Sequence, residues 1–316
     1  MQKTVFQILW LLTLLSSCAS NSKSTNASEK PGLSFKEALN GAQYLNNSGA
    51  LDSALSLAEL ALAQDSLNYA AQLLRADVLF AMGNYKDAMG AYTLCLEQEP
   101  KNPTLWARLG KIYLDQGDLE SALKYFTQAI NFNPSYADAY IGRAIVFGKK
   151  NEMEQAYLSM QTAIDFDPNN VNALITMGEW KLADSAQIAI QYFTNAIRVD
   201  SNQASYYFKR AKAYEKFNSY KSAGLDYQKA FELDNENFDY AFNLAYFHYR
   251  FKIWEQSKYY FNKCLEIKSQ DADALYGRAL SEIQLQQNEE AIASLESLLL
   301  LNPNDAEIIT KLDSLR

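Results

Sequence analysis

Residues 104–136, TLWARLGKIYLDQGDLESALKYFTQAINFNPSY, carry the pattern that decides how this chain folds. Two small residues, Gly110 and Ala122, stand in this stretch, and the large residue Phe126 follows the second of them after one helical turn. Two helices pack tightly only where no bulky side chain intervenes, so the small residues predict a close approach of two helices. Pro134 marks the place where the second helix must stop.

The same pattern recurs along the chain in steps of 34 residues, with a single step of 33. The small residue of the second helix is, in order, Ala54, Ala88, Ala122, Ala156, Ala189, Ala223, Ser257 and Ala291. The small residue of the first helix is Ala42, Ala76, Gly110, Ala144, Gly178, Ala211, Ala245 and Ala279. The short step predicts a one-residue deletion, and hence a shorter turn, between Gly178 and Ala189 in the fifth repeat. Self-similarity at a fixed period of this size indicates a repeat architecture.

The best-preserved repeat resembles the tetratricopeptide repeat, a helix–turn–helix unit of 34 residues. The residues that carry the resemblance are Trp106, Leu109, Gly110, Tyr113, Gly117, Ala122, Phe126, Ala129 and Pro134. The resemblance implies an all-α fold, a right-handed α-solenoid of about eight tetratricopeptide helix–turn–helix repeats over residues 35–305. Residues 306–316 are expected to form a C-terminal capping helix, with Ile309 and Leu312 as its apolar pair.

The N-terminus has the pattern of an export signal followed by a lipid anchor. Lys3 precedes an apolar run at residues 5–15, which as a helix reaches about half the thickness of the hydrocarbon core. The four residues that end this run, Leu-Ser-Ser-Cys at 15–18, resemble the lipobox of bacterial lipoproteins. The resemblance implies a signal peptide at residues 1–17 and lipidation, including palmitate, at Cys18. The alternative is an ordinary secretory signal with an incidental cysteine.

Residues 18–34 then form the lipidated cysteine and a flexible tether that is rich in Ser and Asn. Ala19 stands where an Asp would favour the inner membrane, so the resemblance implies the outer membrane. The expected location is therefore the bacterial cell envelope, lipid-anchored, with the repeats facing the periplasm. Exposure on the cell surface is the alternative orientation.

Charge and composition argue against several classes of function. The chain of 316 residues has 29 Lys and Arg against 37 Asp and Glu, a net charge of −8, which is unlike a nucleic-acid binder. One His and three Cys leave little room for a metal site or a disulfide framework. His248 fills a slot that holds Tyr113 and Tyr214 in other repeats, and Cys95 and Cys264 fill a small-residue slot, so packing roles are expected. We therefore expect no enzymatic activity, no cofactor and no metal.

The family resemblance implies a concave groove lined by the first helices of the repeats. In the last three repeats several aromatic residues fall on that face, namely Phe208, Phe242, Tyr246, Tyr249 and Tyr276. Aromatic side chains bring a large contact area at low entropic cost, so these five residues are predicted to bind a helix or extended segment of a partner protein. The alternative is that some of them fill contacts between repeats.

The leading hypothesis is a membrane-anchored, non-enzymatic scaffold or adaptor for protein–protein interaction in the bacterial envelope. One alternative is a structural subunit of an outer-membrane or pilus assembly complex. Another is a protein that binds a small molecule or glycan in the concavity.

Overall fold

A computed structural model describes residues 33–316 of the chain and divides it into two compact units. The first unit extends to Phe166 and the second begins at Asp167. The described residues form 17 helices and no strands. The first unit contains α1 (Phe35–Asn47), α2 (Leu51–Gln64), α3 (Tyr69–Ala81), α4 (Tyr85–Gln98), α5 (Pro103–Asp115), α6 (Leu119–Phe132), α7 (Ala137–Lys149) and α8 (Met153–Phe166). The second contains α9 (Val171–Asp184), α10 (Ala186–Val199), α11 (Ala204–Lys216), α12 (Tyr220–Leu233), α13 (Phe238–Arg250), α14 (Trp254–Ile267), α15 (Ala272–Gln284), α16 (Asn288–Leu301) and α17 (Ala306–Leu315).

Each repeat of the sequence corresponds to one pair of helices, an odd-numbered first helix and an even-numbered second helix. The prediction of an all-α fold built from about eight helix–turn–helix repeats is therefore confirmed. The small residues that define the period are buried in every repeat, including Ala54 and Ala122, which have no exposed surface. Every helix pair thus packs through the position that the sequence marks with a small side chain.

The turn inside seven of the eight repeats contains one residue in the left-handed region. Glycine fills this position in the first three repeats, with φ of +79° at Gly49, +75° at Gly83 and +80° at Gly117. Later repeats place Asn151, Asn218, Lys252 and Gln286 there. In the fifth repeat this residue is missing, because Ser185 alone separates α9 from α10 and serves as the C-cap of one and the N-cap of the other. The predicted one-residue deletion therefore shortens this turn.

Large rings interlock with glycine between neighbouring repeats of one unit. Phe126 on α6 lies against Gly110 on α5 and Gly142 on α7. A Cβ atom at residue 142 would lie 2.2 Å from Cε1 of Phe126, so the ring occupies the space of that side chain. In the second unit Phe261 occupies the same space at Gly277. These contacts join repeat three to repeat four and repeat seven to repeat eight at interior packing density.

The last helix, α17, packs on the eighth repeat through Ile308 and Leu312, each of which is 3% exposed. Ile309, which the sequence analysis paired with Leu312, is 40% exposed. The expected residue pair was therefore wrong by one position. Residues four apart lie closer together on one face of a helix than residues three apart, so Ile308 packs beside Leu312.

Candidate functional site: a cavity on the first helices of repeats six and seven

A cavity of about 400 Å³ opens in the second unit between the first helices α11 and α13. Its lining consists of Lys212, Glu215, Lys216, Tyr227, Asn243, Tyr246, Phe247 and Arg250. Seven of these residues belong to α11 and α13, where spacings of three and four positions bring them to one face of each helix. We call this feature the Tyr246 cavity, and we call the surface formed by α11, α13 and α15 the first-helix face.

Tyr246 is the predicted groove residue that lines the cavity, and its side chain is 51% exposed. It lies on α13, one turn before Arg250. An exposed ring beside charged groups presents apolar area together with a hydroxyl group that forms hydrogen bonds. Of the five predicted residues, Tyr246 is thus the one that the structure places on an open, concave surface.

Phe208 is half-buried against neighbouring rings. Its ring centroid lies 5.0 Å from that of Tyr240 on the next first helix and 5.8 Å from that of Tyr227. The ammonium of Lys212 lies 4.5 Å from the same centroid, within the range of a cation–π contact. Phe208 therefore supports the edge of the cavity and joins repeat six to repeat seven.

Phe242 and Tyr249 are also half-buried within the stack of repeat seven. The ring of Phe242 lies 5.7 Å from Phe238 and packs edge-on against Phe261 at 5.8 Å. The ring of Tyr249 packs edge-on against Trp254 at 5.3 Å. These contacts agree with the alternative that part of the aromatic set fills packing positions.

Tyr276 contacts the C-terminal helix. Its hydroxyl donates a hydrogen bond to Oε1 of Glu307, and the ammonium of Lys311 lies 5.8 Å from the ring centroid. Both partners belong to α17, so this helix covers one side of the ring. The structure thus does not bring the five predicted residues together in one open site, and their binding of a partner stays a prediction.

Glu215 lines the cavity and occupies one of the family's groove positions, but the sequence did not predict its contacts. Its Oε1 accepts a hydrogen bond from Nη1 of Arg250 at 2.6 Å, and its Oε2 accepts one from the hydroxyl of Tyr227. Burial is the main reason that the pKa of Tyr227 is raised, and the hydrogen bond to Glu215 raises it further. The hydroxyl of Tyr227 therefore stays protonated and remains a donor. Tyr227 occupies the buried slot that holds Phe126 and Phe193 elsewhere. A buried hydroxyl needs a hydrogen-bond acceptor. A tyrosine in this slot of the sequence therefore indicates that a nearby side chain, here Glu215, accepts a hydrogen bond from it.

The first unit contains a similar arrangement of Tyr, carboxylate and Arg. The hydroxyl of Tyr92 donates a hydrogen bond to Oδ1 of Asp77 at 2.7 Å, and Nη1 of Arg108 bonds to the same oxygen. Burial is again the main reason that the pKa of Tyr92 is raised. Since the arrangement recurs wherever tyrosine replaces phenylalanine in this slot, we interpret it as a structural feature of the repeats.

Two lysines give the cavity its net charge. Nζ of Lys216 donates hydrogen bonds to the carbonyl oxygens of Leu182 and Ala183, at 2.7 and 2.8 Å, near the end of α9. These acceptors are neutral, and within residues 33–316 neither Lys212 nor Lys216 forms an ion pair with a carboxylate. Glu215 compensates Arg250, so the lining retains two positive charges in a chain whose net charge is −8.

The other residues singled out in the sequence occupy packing positions. Cys95 and Cys264 are free and fully buried, and burial raises the pKa of their thiols to about 11 and about 12. His248 is half-buried and stacks on Tyr260 with the ring centroids 5.4 Å apart. In residues 33–316 there is no group of three or more His, Cys, Asp or Glu residues arranged to hold a metal ion. Cys18 lies outside the described residues.

None of the helices over residues 33–316 has the length and apolarity required to cross a membrane. Sequence models of one family, described as tetratricopeptide repeat, match residues 47–112, 79–140, 204–237 and 273–305. The chain belongs to the tetratricopeptide-repeat family. No protein in a search of curated sequences matches it.

Two solved structures show the same fold at low sequence identity. One is the C-terminal part of a TPR repeat-containing protein from Cytophaga hutchinsonii, with 21% identity, a TM-score of 0.63, and coverage of 75% of this chain and 98% of that one. The other is pilF of Pseudomonas aeruginosa, with 19% identity, a TM-score of 0.53, and coverage of 68% of this chain and 98% of that one. Tetratricopeptide repeats form scaffolds for protein–protein interaction, so the expected ligands of this chain are proteins.

Proposed function

We propose that this tetratricopeptide-repeat chain is a non-enzymatic adaptor, anchored by lipid in a bacterial cell envelope, that binds a partner protein on the first-helix face. The observation that carries the proposal is the Tyr246 cavity, where an exposed aromatic ring lies beside charged groups on that face. Aromatic residues in a concave surface are common anchors of protein interfaces. The Leu-Ser-Ser-Cys segment at residues 15–18 supports the anchor, and the outer membrane is the proposed location.

An anchor strengthens docking by confining both partners to one surface. Lipid attachment raises the effective concentration of the partner, so modest affinity at each contact suffices for stable association. Several acyl chains hold a protein at a bilayer where a single chain is marginal. An open site such as the Tyr246 cavity is accessible to a partner confined to the same surface.

Crosslinking and pull-down from native membranes tests the proposed docking site. We expect the wild-type chain to capture a defined partner and Tyr246→Ala to lose most of it, because removing a central aromatic anchor costs on the order of 2 kcal/mol, or more than tenfold in affinity. Tyr259→Ala is the matched control, since Tyr259 is 53% exposed but lies on the second helix α14, outside the cavity. Circular dichroism checks that both variants are folded.

Partners that remain bound to a folded Tyr246→Ala variant would show that another surface binds. Capture at a fixed stoichiometry through every purification step would instead favour a structural subunit of an envelope assembly. Saturable binding of a defined glycan by the purified chain, lost in Tyr246→Ala, would favour the small-molecule alternative.

A further inference from the structure

The residues that line the Tyr246 cavity also indicate the chemistry of its occupant. We infer that it binds an acidic segment of a partner protein, in which a carboxylate side chain pairs with Lys212 and Lys216 while a neighbouring apolar side chain packs on Tyr246. The inference rests on the proposed function, because it names the partner chemistry of the same site.

The charges of the lining residues favour an incoming anion. Arg250 and Glu215 pair with each other through Nη1 and Oε1 at 2.6 Å. The ammonium of Lys212 contacts the Phe208 ring, and that of Lys216 contacts two backbone carbonyl oxygens. Both lysines therefore lack an anionic partner within the part of the chain that the structure describes, and an incoming carboxylate meets two positive charges.

The charge of this lining is opposite to the net charge of the whole chain. The chain has a net charge of −8, so its general surface repels an acidic segment. Salt at about 0.1 M screens interactions between exposed charges beyond about 10 Å, whereas a direct lysine–carboxylate contact is much shorter. Local attraction at the cavity thus decides where such a segment binds on this chain.

The size and polarity of the cavity also fit an acidic segment. A volume of about 400 Å³ lies in the range of sites that enclose several groups of a ligand. The exposed ring of Tyr246 offers apolar area beside the ammonium groups. A carboxylate next to an apolar side chain matches both features, whereas a single inorganic anion leaves the ring unused.

Fluorescence anisotropy with defined peptides tests this inference on the purified full-length chain. The probe is a short labelled peptide of alternating glutamate and leucine, and its control replaces each glutamate with glutamine. We expect the acidic peptide to bind at least tenfold more tightly than the control, and its affinity to fall as salt is raised. Equal binding of the two peptides, or binding of neither, would overturn the inference.

Lys212→Gln isolates the charge without disturbing the carbonyl contacts of Lys216. We expect it to weaken binding of the acidic peptide about five- to tenfold and to leave the glutamine peptide unchanged. Lys212→Arg should retain most of the affinity. Lys221→Gln is the matched control, because it removes the same charge from an exposed residue of α12 outside the cavity, and it should have little effect.

Two further results separate this inference from the proposed function. Inorganic phosphate that binds at least as tightly as the acidic peptide at matched ionic strength, with the peptide affinity unchanged in Tyr246→Ala, would identify a small-anion site and contradict a docked acidic segment. A Lys212→Gln variant that still captures the membrane partner, when Tyr246→Ala does not, would leave the adaptor function standing and reject the acidic partner.

Discussion

At the scale of single residues, His248 shows how burial sets a charge state. Burial lowers the pKa of its side chain below the ordinary value of 6.5. The ring stacks on Tyr260 and packs edge-on against Phe247, and its Nδ1 lacks a hydrogen-bond partner among residues 33–316. Between the lowered pKa and pH 6.5 the folded chain therefore favours the neutral imidazole, while the unfolded chain takes up a proton near pH 6.5.

We predict that this residue makes the second unit less stable in mild acid. Because the unfolded state binds more protons below pH 6.5, the free energy of unfolding decreases as pH falls from 6.5 towards the lowered pKa, by at most about 1.4 kcal/mol per pH unit. Above pH 6.5 both states are neutral and the contribution is complete. His248→Phe should abolish this loss, since other repeats place an aromatic ring such as Phe147 in the same slot.

Urea unfolding of both proteins at about pH 7.5 and about pH 5.5 measures the effect. A loss of stability at the lower pH that is common to both proteins reflects protonation of carboxylates and not of His248. A difference between the two proteins that does not change with pH would contradict a role for His248 protonation.

At the scale of helices, replacing glycine with alanine is expected to have opposite effects on stability at two positions. At Gly142 on α7, a Cβ atom would lie 2.2 Å from the Phe126 ring, whereas at Gly90 on α4 no atom lies within 4 Å. Alanine gains about 1 kcal/mol over glycine inside a helix through its lower backbone entropy. Only the contact with Phe126 can reverse this gain.

We predict that Gly142→Ala lowers the free energy of unfolding by about 1–3 kcal/mol, because overpacking forces the Phe126 ring or its helix to shift. Gly90→Ala should raise it by about 0.5–1 kcal/mol and serves as the matched control. Denaturant midpoints measured on the two variants give the sign of each effect. Stabilisation by both substitutions would show that close packing does not require glycine at residue 142.

At the scale of the whole molecule, the repeat period is what made the fold predictable. Small residues such as Gly110 and Ala122 allow the two helices of a repeat to pack closely, and every repeat has small residues at these positions. The structure of one repeat therefore predicts that of the others. The deletion in the fifth repeat was visible for the same reason. Gly142 and Gly277, which accept rings from the preceding repeat, were not recognised because most repeats carry a larger residue at that position.

The candidate site was less predictable, because exposure on a shared face depends on the neighbouring repeat. Phe208 and Tyr246 both follow the spacing of groove residues, yet Tyr240 packs on Phe208 while Tyr246 stays half exposed. Tyr276 is covered by Glu307, which lies beyond the last repeat. The family's groove positions include Lys212 and Glu215, but the cavity itself was not predicted, because Arg250 and the buried hydroxyl of Tyr227 complete its lining from other helices.

The proposed location of the whole scaffold depends on its N-terminal segment, so the lipid anchor is the last prediction. We expect Cys18 to be the single site of acylation, because it directly follows the apolar run and the two small residues that precede the proposed cleavage site. Growth with radiolabelled palmitate should label the wild-type chain and leave Cys18→Ala unlabelled and longer by the uncut signal peptide. Cys95→Ala is the control and should stay labelled, because Cys95 is buried inside the second repeat. Palmitate retained on Cys18→Ala would show that another residue is acylated and would contradict this prediction. A Cys18→Ala protein that is still cut to the mature length would instead indicate an ordinary secretory signal, which leaves the adaptor without a lipid anchor.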